Sequence, residues 1–166
     1  MNILDFYQPS VAEKYLSDYL IAQNVLLPSD LEIESLLIKL NLFIVKGDFS
    51  MSLADYGGIV LAQQLSREQF IEKLHHELVH IITHCGNQQL MNLKAIENQE
   101  KNANRSLMYI SIPYHMLNFI DFTSDYIEQD LLELFSTTTS DIISNRMLSI
   151  RNYLLQSSSL PKLQYG

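Results

Sequence analysis

Tryptophan is absent from this 166-residue chain, and cysteine occurs once, as Cys85. A lone thiol excludes any internal disulfide and fits a reducing compartment. Positive charge is scarce as well: 11 Lys and Arg stand against 19 Asp and Glu, a net charge of −8. Such a balance repels phosphate and argues against nucleic acid or an anionic membrane surface as the main partner. No window approaches the ~20 apolar residues of a membrane-spanning helix. The opening "MNILDFYQPSVAEKY" has no basic segment leading into an apolar run, so no secretion signal is read. These absences predict a cytoplasmic, soluble protein. What is present suffices for a packed core, since 47% of the residues are apolar, with nine Tyr and seven Phe. The length predicts one compact domain.

"SVAEKYLSDYLIAQN" places Val11, Tyr15, Leu16, Tyr19 and Leu20 at helical spacing. Beyond Pro28, Ser29 and Glu32 stand in a capping-box relation that predicts a second helix running to about Asn41. "LFIVKG" and "GGIVLAQQL", separated by a polar turn around Asp48–Asp55, predict two strands in a hairpin or small antiparallel sheet. Ser66 and Gln69 form a second capping box that opens another helix, closed at Gly86–Asn87. A helix from roughly Gln89 to Ile112 should end before Pro113. The tail reads as two helices split by the Ser/Thr stretch at 136–140. Its "DLLELFSTTTSDIISNRML" loosely suggests a helix-turn-helix, but the acidic charge favours a plain packing pair or a docking surface.

Four of the five histidines lie in "FIEKLHHELVHIITHCGNQ", residues 70–88. At about 100° per residue, Phe70, Leu74, Leu78, Ile81 and Cys85 share one side, with His76, Glu77, His80 and His84 on the opposite flank. His76 and His80 are one turn apart, roughly 5–6 Å at Cβ, and can converge on one ion. Glu77 lies beside them, placed to take a proton from an attacking water without itself acting as a ligand. This is the HExxH arrangement of zinc peptidases. His84 is about 12 Å along the axis from His76, too far to share the ion. His75 points about 100° away from His76. A third ligand must therefore come from elsewhere, and the following helix offers Glu97 and Glu100, which share a face at roughly the right level. Spacing alone does not choose between them. Cys85 reads as an inert core thiol.

"HHELVHIITHCGNQ" followed by "ENQEKNANRSLMYISIPYHML" resembles the ImmA/IrrE family of zinc metallopeptidases, strongly over residues 66–117 and more faintly toward both ends. The resemblance assigns the zinc histidines to His76 and His80, the catalytic base to Glu77, and the third ligand to Glu100, three before Ala103–Asn104. It matches Pro113 to the proline closing the helix. Where the family prefers Phe-Ala, this chain has Ser106–Leu107, a departure expected to alter packing behind the site. By resemblance, the substrate is a helix-turn-helix repressor encoded nearby, cleaved to relieve repression of a mobile element or prophage. "GGIVLAQQL" is then the strand expected to pair with the extended substrate.

The expectation is an α+β, mostly helical, zincin-like metallopeptidase with a small antiparallel or mixed sheet. A core over residues 1–117 would carry one zinc ion, and a C-terminal helical region over 118–166 would pack on it or dock substrate. His84 and His115 are candidates near the site or in its cleft, His84 also as a helix-end residue. The rival readings are an anti-repressor that binds a repressor without cutting it, and a DNA-binding regulator using the C-terminal helices.

Overall fold

The computed structural model describes residues 3–83 and 93–159. Six α-helices and three strands follow in the order α1 (Val11–Ala22), α2 (Ile33–Leu40), β1 (Phe43–Gly47), β2 (Met51–Leu53), β3 (Gly58–Ala62), α3 (Arg67–Thr83), α4 (Leu93–Ser111), α5 (Ile127–Leu134) and α6 (Ser140–Ser159). This is the mostly helical α+β fold with a small mixed sheet that the sequence predicts.

Local chemistry explains most boundaries. Ser10 and Glu13 cap α1 reciprocally, and Ser66 and Gln69 do the same for α3, with Ser66 N–H donating to Gln69 Oε1 at 3.0 Å and Gln69 N–H to Ser66 Oγ at 3.2 Å. The Ser29–Glu32 box does not form. The Asp30 carboxylate instead accepts from the N–H groups of Leu26 and Leu27, tightening Pro28–Leu31 into a 3-10 turn so that α2 begins only at Ile33. Asn41 ends α2 in the left-handed conformation, φ 53°. The C-terminal pair splits at the Ser/Thr stretch as expected, and α4 ends just before Pro113.

The sheet departs from a simple hairpin. β3 lies between β1 and β2, parallel to β1 and antiparallel to β2. The extra strand β2 occupies part of the segment read as a polar turn, because three residues are too few to display an alternating pattern. A Cβ at Gly58 would lie 2.7 Å from the exposed Phe43 ring on the neighbouring strand, so the ring would have to move. Ile59 and Leu61 are buried on the inner face, and α3 packs against β2 and β3 on one flank and α4 on another.

α3 is the central element. Every residue from Leu74 to Ile82 is buried, so its histidine flank is enclosed by protein and not a solvated polar face. One continuous core joins Leu16 and Leu20 of α1, Leu74 and Leu78 of α3, Ile110 of α4, and Leu131, Phe135 and Ile143 of the C-terminal region. No helix among the described residues is long and apolar enough to cross a membrane.

Candidate metal centre

His76 and His80 project from successive turns of α3 toward α4, and Glu100 meets them from the first half of α4. His76 Nε2 and His80 Nε2 are 3.0 Å apart. Glu100 Oε2 lies 3.1 Å from His76 Nε2, and its Oε1 3.3 Å from His80 Nε2. Both imidazoles are buried, while Glu100 is half-buried at the mouth. Glu97 is exposed and does not join the group. The carboxylate that spacing could not select is thus the one facing the rings.

The donor set fits a metal ion. His76 Nδ1 lies 2.9 Å from Asn104 Oδ1. An amide oxygen only accepts, so this contact calls for a proton on Nδ1 and leaves Nε2 as the atom that would meet an ion. Both Nε2 atoms and the Glu100 carboxylate converge on one point. A tetrahedral ion bonded at about 2.0–2.1 Å holds its ligand atoms roughly 3.3 Å apart, close to the separations found. Burial, the neighbouring His76 positively reinforcing it, pushes the His80 pKa down against the pull of Glu100. His80 therefore favours the neutral form that ligates.

Glu77 is buried between the centre and the sheet. Burial raises its carboxyl pKa most strongly. His76 opposes this, Glu100 adds to it, and Lys73 and the Ser52 backbone N–H of β2 pull it down. A carboxylate destabilised by its surroundings but still held by one N–H is a stronger base than a solvated one.

The remaining candidates are placed as follows. His75 is fully buried on another side of α3, its Nδ1 2.9 Å from Ser111 Oγ, and burial pushes its pKa down to about 4. His115 does not face the cleft. Its Nδ1 is 2.7 Å from Ser17 Oγ and its Nε2 donates to the Val25 carbonyl at 2.9 Å, so both nitrogens are spent tying the segment after α4 to α1. His84 and Cys85 lie outside the described residues. Ser106, at the departure from the Phe-Ala pattern, is buried in α4, with Leu107 half-buried beside it. The strand expected to receive substrate needs correction too. β3 has a partner on each side, and the edge next to Glu77 belongs to β2. Two contacts had no clear sequence signal, the Ser52 N–H on Glu77 and the His75–Ser111 bond. The Asn104 contact was legible in principle, because Asn104 follows Glu100 by one turn.

Residues 29–142 match the IrrE N-terminal-like domain family, Peptidase M78. The chain belongs to that family. Within this Peptidase M78 chain the matched span covers the sheet, α3, α4 and α5 and ends in α6. It is also similar to the phage-like element PBSX protein XkdA of Bacillus subtilis (strain 168), 30% identical over 108 residues, which are 63% of this chain and 54% of that protein. The match spans about half the length of that relative.

Proposed function

We propose that the protein is a zinc-dependent endopeptidase that cleaves a helix-turn-helix repressor of a mobile element or prophage. His76, His80 and Glu100 hold the ion, and Glu77 is the catalytic base. The observation that carries this reading is the convergence of two buried imidazoles and a carboxylate, with ligand atoms within 4.8 Å of one another, and a buried glutamate next to them. Family membership supports peptidase chemistry, and the likeness to a phage-like element protein supports a substrate of that genetic context.

Bound zinc would supply Lewis acidity to the scissile carbonyl and the attacking water. The chain's own groups do the rest. Glu77 takes the proton of the water as it attacks and hands it to the departing amine nitrogen, a transfer eased by its raised pKa. Burial of α3 keeps competing water from the rings. β2 is the outer strand of the described sheet beside the base, where an extended substrate can add as a strand.

The test is incubation of the zinc-loaded protein with the neighbouring repressor, followed by mass spectrometry. Two discrete fragments whose masses sum to the repressor plus one water support the reading. An intact repressor that has nonetheless lost DNA binding overturns cleavage in favour of inhibition by binding alone.

A further inference from the structure

α4 contributes two groups to the same imidazole. Glu100 and Asn104 are one helical turn apart and both reach His76, the carboxylate at Nε2 and the amide oxygen at Nδ1. We infer that Asn104 is a positioning residue for the metal centre: it fixes the tautomer and rotation of His76 so that Nε2 presents a lone pair to the ion. This rests on the metal reading above but concerns a residue that reading leaves unassigned.

The argument is one of proton placement. A neutral imidazole carries a single ring proton, and only the unprotonated nitrogen can ligate. Free in water, the ring divides between tautomers and rotates about χ1 and χ2. Here acceptors face both nitrogens, Asn104 Oδ1 at 2.9 Å from Nδ1 and Glu100 Oε2 at 3.1 Å from Nε2. Once an ion takes Nε2, Asn104 holds the one ring proton on Nδ1, on the far side of the ring from Glu100 and His80. Reversing the amide would place an NH2 against Nδ1 and move the ring proton to Nε2, toward the ion's place. The same contact resists rotation of the ring out of the α3–α4 seam. Metal-bound histidines commonly depend on such a partner at the other nitrogen, and its loss typically weakens metal binding about 10- to 100-fold. Asn104 is itself exposed, so water competes for the bond, and the low end of that range, about tenfold, is expected.

Exposure also makes the position testable, because a substitution there removes no core packing. The experiment compares the unchanged protein with Asn104→Leu and Asn104→Asp. In zinc-loaded protein, long-range 15N–1H correlation spectra report whether the His76 Nδ1 proton is held or exchanges rapidly with water. Zinc affinity is then measured by competition with a chromophoric chelator. We expect an Nδ1–H protected from exchange in the unchanged protein, rapid exchange of that proton in Asn104→Leu, and zinc binding about tenfold weaker in that variant. Asn104→Asp, which keeps an acceptor, should restore both readouts. An Nδ1 proton that exchanges rapidly in the unchanged protein, or equal zinc affinity in Asn104→Leu, overturns the assignment. Failure of the unchanged protein to bind zinc overturns the metal reading itself, and is seen before any variant is compared.

Discussion

Among individual residues, the largest consequences follow from which side chains are buried with charge or without a partner. Glu77→Gln preserves shape but removes the base. It should leave zinc stoichiometry intact, measured by metal analysis, and lower the cleavage rate by about 10²–10⁴-fold. His80→Ala should lose metal and cleavage together, and cleavage surviving in the Glu77 variant would defeat the mechanism. His75 makes a separate point about acid. Its folded pKa of about 4 lies below the ordinary 6.5 because burial disfavours the cation. Between those values the unfolded chain binds the extra proton and the folded one does not, so stability is full above about pH 6.5 and declines as pH falls toward 4. His115, whose pKa is also lowered by burial, acts in the same direction. Urea unfolding of metal-free protein at pH 7.5 and 5 should display the loss, and His75→Gln should reduce its slope. An unchanged slope would mean that the ring is not held neutral.

Between elements, the clearest device is the ion pair of Glu13 in α1 with Arg146 in α6, both fully buried. Tyr7 donates to Glu13 Oε2 at 2.7 Å, while Arg146 Nη1 donates to Tyr7 Oη and Nε to the Ile112 carbonyl, each at 3.2 Å. The guanidinium also lies over the Tyr7 and Tyr109 rings, 5.7 and 5.2 Å from their centroids. Desolvating two charges costs much of what their attraction returns, so the network contributes more to the docking angle of α6 than to net stability. Removing one partner is another matter, since it strands a buried charge. Arg146→Met should cost about 3–5 kcal/mol in urea denaturation, and adding Glu13→Gln should recover a large part of it. A loss below about 1 kcal/mol would place water in the pair. Helix boundaries were legible because caps and periodicity are local, as at Ser66–Gln69. The Ser29 box gave way to a 3-10 turn over Pro28–Leu31, in which Asp30 accepts from the N–H groups of Leu26 and Leu27 and the Glu32 N–H turns to the Ser29 carbonyl. β2 escaped notice because its pairing with β3 comes from distant residues.

Taken whole, the molecule is acidic, at −8, and α5 and α6 set two arginines, Arg146 and the exposed Arg151, against the acidic Glu128, Asp130, Glu133 and Asp141. Arg146 of α6 is consumed by Glu13 inside the protein. We expect no mobility shift with operator or random duplex DNA at physiological salt, and a salt-sensitive shift would revive the DNA-binding alternative. The sequence by itself determined the helical class, the capped start of α3 and the pairing of His76 with His80 one turn apart. Those follow from backbone period and near-neighbour hydrogen bonding. Spacing left Glu97 and Glu100 open, and the resemblance pointed to Glu100. Only the tertiary structure decided that β3 sits inside the sheet, that β2 borders Glu77, and how the Glu100 carboxylate meets both rings. Each of these depends on how α3 lies against α4 and the sheet, a matter of long-range packing that no local spacing encodes.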